Sequence, residues 1–302
     1  MSFFEKVASR ARQVGAPLCL GLDPRNETVE RFSHTGLYTV LYDRYVTNTM
    51  LEGFRSRDIH SLYVKLKLYC CFILESTAEH ICCVKPNLAF FIAQGAEGIQ
   101  VLMDICELIR EMDIPILLDG KLGDIGSTME YYKKFIFEIL KADSCTVNTL
   151  LGTDVLSVMA TDRHGNYMND LFVLAKCSNP SAEQIQGAIL NDQSPVYMEI
   201  INKCESFYKS KNITTAKVGY VVGATCVDVL AEVRRSYPDC VILMPGIGAQ
   251  GGDLDAAIKA AINREGTGVI VPISRAIIDS QNPGQAALYW KEQIRSCISP
   301  QP

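Results

Sequence analysis

Short apolar runs recur along the chain, and most are followed by a stretch with helical spacing. The runs APLCLGLD (16–23), ICCVKPN (81–87), IPILLDGK (114–121), DSCTVNT (143–149), LFVLAKCSN (171–179), AKVGYVVGAT (216–225), DCVILMPG (239–246) and TGVIVPIS (267–274) read as strands. They are apolar almost throughout rather than alternating, which is the pattern of parallel strands buried on both faces. Helical patterns fit near 37–55, 61–79, 96–111, 193–209, 226–236, 253–264 and 284–296. In the third of these, Ile99, Leu102, Met103, Cys106 and Ile109 recur at helical spacing. A further helix is expected to start near Ser127, with Glu130 three residues on completing a capping box. The opening segment MSFFEKVASRARQVG reads as a short amphipathic helix, and 53–69 as an elaboration between the first two strands. Eight strands alternating with helices in 302 residues predict an α/β fold, a (β/α)8 TIM barrel over 1–296, in preference to a doubly wound sheet. Residues 297–302, ending SPQP, read as a tail or the start of a linker.

Composition narrows the class. Hydrophobic residues make up 48% and charged residues 21%, enough for a sizeable core. The net charge is −5 with no concentrated basic stripe, which disfavours nucleic acid as a partner. No apolar stretch reaches about 18 residues, so no membrane span is expected. The N-terminal segment is too charged for a secretory signal. There are twelve cysteines but no CxxC, and Cys70-Cys71 and Cys82-Cys83 are adjacent pairs. Neighbouring side chains point apart, so these read as small buried thiols of a reducing compartment, the cytoplasm, and not as disulfides or zinc ligands.

Chemistry in a βα barrel sits at the C-terminal ends of the strands. The first strand ends in Asp23, the second in Lys85 and Asn87, the third in Asp119 and Lys121. The fifth ends in Lys176, Ser178 and Asn179, the seventh runs into PGIGAQGG, and the eighth ends in Ser274 and Arg275. Asp119 and Lys121 are two apart and share a face, and Lys85 on the neighbouring strand can flank Asp119 on its other side. Opposite neighbours keep every member of such a lysine–aspartate–lysine chain charged. The alternative is an ion-pair network that only fixes the barrel. A Mg²⁺ site built from Asp23, Asp119 and Asp124 is a further alternative, opposed by two ammoniums that would repel the cation. A Schiff-base lysine is opposed by the flanking aspartates.

Gly246, Gly248 and Gly251 form a GxGxxG after a strand and before a helix. A dinucleotide site would need an acidic residue at the end of the next strand, and that strand ends in Arg275. Glycine-rich backbone at a helix N-terminus with an arginine suits a phosphomonoester, and barrels often hold phosphate after strands seven and eight. Ser178 and Asn179 could contact a polar ring or form only a turn. The four histidines show no metal-ligand spacing, and no Ser-His-Asp arrangement stands out.

Together these positions resemble the orotidine 5′-phosphate decarboxylase family, over nearly the whole chain from LCLGLDPR to PISRAII. DGKLGDI matches the family's Asp-x-Lys-x-x-Asp-Ile signature, and VKPNLAFF, AKCSNPS, VVGAT and MPGIGAQGGD resemble its longer branch. The resemblance implies a charged tetrad of Lys85, Asp119, Lys121 and Asp124. It implies a homodimer with shared sites, in which Asp124, Ile125 and Thr128 reach across to the second subunit. Asp23 and Lys85 would hold ribose hydroxyls, Asn87 would lie near the sugar phosphate, and Ser178 would read the pyrimidine. Gln250, Gly251 and Arg275 would hold the phosphate. The implied reaction is loss of CO₂ from the substrate to give UMP, with no metal and no organic cofactor, and the tail is compatible with a domain cut from a fusion with orotate phosphoribosyltransferase. Two positions depart from the family pattern: Cys177 stands where a hydroxyl residue is expected, and Ser127 where asparagine is usual. The nearest rival is a Mg²⁺-dependent phosphosugar lyase of the same superfamily, which usually carries a glutamate near the second strand where this chain has Lys85.

Overall fold

The computed structural model of the chain describes residues 1–47, 58–248 and 251–298. Eight parallel strands, β1 (Leu18–Leu22), β2 (Cys83–Pro86), β3 (Leu117–Leu122), β4 (Ser144–Val147), β5 (Asp170–Lys176), β6 (Val218–Val222), β7 (Val241–Leu243) and β8 (Val269–Ile273), form one sheet. Its order is β2-β1-β8-β7-β6-β5-β4-β3. Single parallel bridges, Val84 to Ile116 and Asn87 to Asp119, join the two outermost strands and close the barrel. The strands are shorter than the apolar runs that announced them, because the ends of those runs turn into the loops around the mouth.

The continuous apolar runs are explained by two buried layers. Cys19, Cys83, Leu117, Phe172, Leu174, Val221, Leu243 and Ile270 fill the barrel interior. The alternate residues, such as Leu18, Leu20, Val84, Leu118 and Val271, pack outward under the helices. Most strand residues are therefore buried whichever way they point, and the charged positions that face solvent or a cavity gather where the strands run into the mouth.

The N-terminal amphipathic helix forms as expected, over Phe3–Val14, with a capping box between Ser2 and Glu5. It closes the end of the barrel where the strands begin. Phe3 and Phe4 meet Phe172 edge-on, at ring-centroid distances of 6.1 and 5.2 Å. Asp170, buried beneath them, accepts hydrogen bonds from the backbone N–H of Phe4 (3.0 Å) and of Lys217 (2.8 Å). The interior is thereby sealed at one end and open to chemistry only at the other.

Between β1 and β2, two helices (Asn26–Ser33 and Gly36–Thr47) precede a third, Leu62–Thr77. The third is apolar on nearly all sides and buried as such, with Tyr69 donating from its hydroxyl to the Ile278 carbonyl at 2.8 Å. The stretch 53–69 is thus no single loop: residues 62–69 are the first half of this helix, and 53–57 lie outside the described residues. Part of the helix expected over 37–55 also lies outside them. The final helix runs Pro283–Ile298, and residues 299–302 are not described. The expected capping box at Ser127 does not form. The helix begins one residue earlier, at Gly126, so Ser127 is already inside it, and Glu130 pairs with Lys133 at 2.6 Å. All twelve cysteines are unpaired, and most are buried.

Candidate active site

A cavity of about 460 Å³ opens at the C-terminal end of the barrel, a volume suited to a small ligand. It is lined by strand-end residues that the sequence singles out, including Asp23, Lys85, Asn87, Asp119, Lys121, Ser178, Asn179, Ser274 and Arg275. The predicted alternation of charges is present. Lys85 Nζ lies 2.7 Å from Asp119 Oδ2, and Lys121 Nζ lies 2.5 Å from Asp119 Oδ1. Burial alone would push Asp119 toward its neutral form, but the two ammoniums outweigh it and hold the carboxyl far below the usual carboxylate range. Burial likewise opposes charge on Lys85, and the nearby Asp119 and Asp23 carboxylates overcome it and raise the ammonium's pKa. The group is a standing array of alternating charges, open on the Lys121 side, where the side chain is 46% exposed.

Lys121 reaches the cavity in a way the sequence does not announce. The register of β3 on β4 shifts between Leu118 and Leu122, and Lys121 takes a left-handed φ of 50°. The glycines on either side, 120 and 123, do not carry a positive φ. Gly123 is needed for a different reason, since a Cβ there would come within 2.5 Å of the Asn148 carbonyl oxygen. The strained residue is thus the lysine itself, held in a conformation that non-glycine residues adopt rarely.

Two buried polar atoms on the cavity wall, Asp23 Oδ1 and Ser274 Oγ, have no hydrogen-bond partner among the described residues. Buried polar atoms are nearly always paired, so both remain available to a polar ligand in the cavity. Asn87 caps the short helix Leu88–Ile92 by accepting from the Ala89 N–H at 3.2 Å. Ser178 is brought to the wall by close approach to β6, where a Cβ on Gly223 would lie 2.7 Å from the Ser178 Cα. Cys177 also lines the cavity, its N–H donating to Gln186 Oε1 at 2.7 Å.

Arg275 heads a four-residue helix (Arg275–Ile278) and is exposed at the cavity's edge, close to the Gly246–Ile247 turn that also lines it. Gln250 lies outside the described residues. Gly251 has a positive φ, donates to the Gly248 carbonyl at 3.2 Å, and does not line the cavity. Lys176, expected at the mouth, is instead buried and pairs with Glu183 at 2.5 Å, away from the cavity wall. The reason is a break in alternation: the register of β5 on β6 shifts between Leu174 and Lys176, so the last residue does not follow Phe172 and Leu174 inward.

Asp124, Ile125 and Thr128 do not line this cavity either. Asp124 accepts from the Ile125 N–H at 2.8 Å, while Ile125 and Thr128 are exposed. Sequence reasoning missed Arg25 and Thr146. Arg25 lines the cavity beside Asp23, lies 3.3 Å from Asp279 and stacks over Phe90. Its position two residues beyond the end of the first strand was the available signal. Among the described residues no group of three or more His, Cys, Asp or Glu side chains is arranged to hold a metal ion.

A family profile described as "Orotidine 5'-phosphate decarboxylase / HUMPS family" matches residues 16–289. The chain belongs to this family. Among its relatives, the orotidine 5′-phosphate decarboxylase of Roseiflexus castenholzii is 33% identical over 302 residues, covering 99% of this chain and 98% of that protein. That of Thermomicrobium roseum is 37% identical, covering 92% of this chain and 87% of that protein. Among solved structures, Plasmodium berghei orotidine 5′-monophosphate decarboxylase superposes with a TM-score of 0.89 at 28% identity, covering 98% of each chain. Leishmania donovani UMP synthase superposes with a TM-score of 0.79 at 30% identity, over 99% of this chain and 57% of that one. The barrel of the orotidine 5′-phosphate decarboxylase / HUMPS family is therefore the architecture expected for this sequence, and the alternating charges lie on its strand ends.

Proposed function

We propose that the protein is a carboxy-lyase that converts orotidine 5′-phosphate to UMP, the step that supplies UMP in de novo pyrimidine synthesis. The observation that carries the reading is the Lys85–Asp119–Lys121 array at the barrel mouth, with Arg275 at the edge of the same cavity. The curated relatives named as this enzyme support it.

In this reading Arg275, with Gln250 and Gly251, holds the phosphate. Asp23 and Lys85 hold ribose hydroxyls, Asn87 lies near the sugar phosphate, and Ser178 reads the pyrimidine. The bond from C6 to the carboxylate breaks, its electron pair stays on C6, and CO₂ leaves. The Lys121 ammonium stabilises that carbanion and then donates a proton to C6, to be reprotonated from solvent. Asp119 lies where the leaving carboxylate must pass and also aims Lys121. No metal or organic cofactor takes part.

Asp124, Ile125 and Thr128 serve the neighbouring subunit of a homodimer. The exposure of Ile125 and Tyr131, and of Leu150 and Leu151 after the adjacent strand, supports a covered face on this side. No helix among the described residues is long and apolar enough to cross a membrane. The twelve unpaired cysteines suit a reducing compartment, and on that ground we place the enzyme in the cytoplasm. In the Leishmania relative the same barrel is part of a longer chain, so the reading extends to a domain of a bifunctional UMP synthase.

The test is to add orotidine 5′-phosphate to purified protein in excess EDTA and follow the loss of its ultraviolet absorbance. Conversion to UMP is expected. Absence of conversion, with Mg²⁺-dependent turnover of a sugar phosphate instead, would replace this reading with a phosphosugar lyase.

A further inference from the structure

We propose that Thr146 is a positioning residue of this site, aiming Lys121 and Asp119 at the reacting carbon through one shared hydroxyl. The assignment rests on the decarboxylase reading above. Thr146 lies on β4, is 1% exposed, and pairs in register with Phe172, whose side chain fills the barrel interior. It also lines the cavity.

Its hydroxyl sits where the β3–β4 ladder is interrupted. Leu118 pairs with Cys145 and Leu122 with Val147, so Thr146 faces the whole irregular segment 119–121. The Lys121 backbone N–H donates to Thr146 Oγ1 at 2.9 Å, and Thr146 Oγ1 lies 2.9 Å from Asp119 Oδ1. A hydroxyl has one proton and two lone pairs. One lone pair is taken by the Lys121 N–H, so the proton is committed to Asp119. The direction of both bonds is thereby fixed.

The consequence reaches two catalytic side chains at once. The bond to the Lys121 N–H replaces the missing ladder bond and holds the left-handed backbone from which the ammonium projects. The bond to Asp119 gives Oδ1 a second donor beside Lys121 Nζ and stops the carboxylate from rotating. An apolar side chain of equal size would fill the space and do neither. Displacement of a reacting group by about 1 Å can cost about 100-fold in rate.

The experiment compares Thr146→Val, which keeps shape and loses the hydroxyl, with Thr146→Ser, which keeps the hydroxyl. Steady-state kcat and KM for orotidine 5′-phosphate, and the Kd for UMP, are measured for both. The Val variant is expected to lose about 10- to 100-fold in kcat while UMP Kd stays within about threefold, and Ser to stay within about threefold of wild type. Should Val fail to fold, Thr146→Cys, with its weak donor, carries the same expectation. A Val or Cys variant within twofold of wild-type kcat overturns the assignment. So does equal impairment of Ser, or a loss confined to KM and UMP binding. Wild-type protein that forms no UMP overturns the decarboxylase reading and this one with it, whereas active wild type with an unimpaired Val variant overturns this one alone.

Discussion

Replacing Asp119 with asparagine removes the one carboxylate that two lysines share. The side chains of Lys85 and Asp119 are 8% and 9% exposed, so their 2.7 Å pair is buried, whereas Lys121 is 46% exposed. At a separation of about 3 Å and an effective dielectric of about 20, each pair gains roughly 5 kcal/mol before desolvation is counted. The Lys121 share falls toward the surface value of about 0–1 kcal/mol because solvent screens it. Lys85 dominates, since the substitution leaves its ammonium buried with Asp23 as the remaining opposite charge. Breaking a buried pair from one side costs about 3–5 kcal/mol, and the asparagine oxygen still accepts one hydrogen bond, so about 3 kcal/mol is expected. Chemical denaturation at pH 7, followed by circular dichroism, measures it. Asp119 has a depressed pKa in the folded state, so its contribution is present above the unfolded carboxylate value near 4 and is lost as pH falls through the lower range. Lys85, with a raised value, contributes below about 10.5 and loses its contribution as pH rises beyond that. The gap between wild type and Asp119→Asn should therefore narrow below about pH 4. A variant as stable as wild type at pH 7 would refute the argument, because it would show that the two lysines need no carboxylate between them.

The remaining expectations concern turnover. Lys121→Ala should lower kcat by about 10³-fold or more while UMP binding remains detectable, and unchanged turnover would remove its role as proton donor. Arg275→Ala should raise KM by about 10- to 100-fold through loss of a charge-assisted phosphate contact, and a loss purely in kcat would contradict phosphate holding. Mixing inactive Lys121→Ala and Asp124→Ala subunits should regenerate some intact sites in hybrid dimers. If refolded or co-expressed mixtures stay at the level of either parent, Asp124 does not serve a neighbouring subunit.

Much of the barrel was legible because its strands are buried on both faces, which writes them as unbroken apolar runs. The pairing of Lys85 with Asp119 and of Asp119 with Lys121 was legible too, because two-residue periodicity and strand order place them together. What stayed hidden depends on backbone detail. Nothing in the letters DGKLG says that the left-handed residue is the lysine and not a glycine. Ser127 and Glu130 have the spacing of a capping box, but the helix starts at Gly126 with Ile125 at its N-cap, two residues too early for it. Thr146 looks like any strand threonine until the register shift on β3 brings the Lys121 N–H to its hydroxyl. Lys176 and Arg25 show the converse problem, since charge at a strand end does not reveal which wall of the loop it will face.

The sealed end of the barrel has a practical consequence for handling the protein. Phe4, Ala11 and Gly15 of the N-terminal segment share one groove with Gly266, Val269 and Ile298, where β8 begins. The first and last described helices thus meet at the face opposite the charged cavity. A fluorophore or a surface tether attached on the helix Phe3–Val14 or at Ile298 would hang from the floor and leave the mouth pointing away from the support. Immobilised protein should accordingly turn over substrate at the same rate as free protein, whichever of these two helices is anchored.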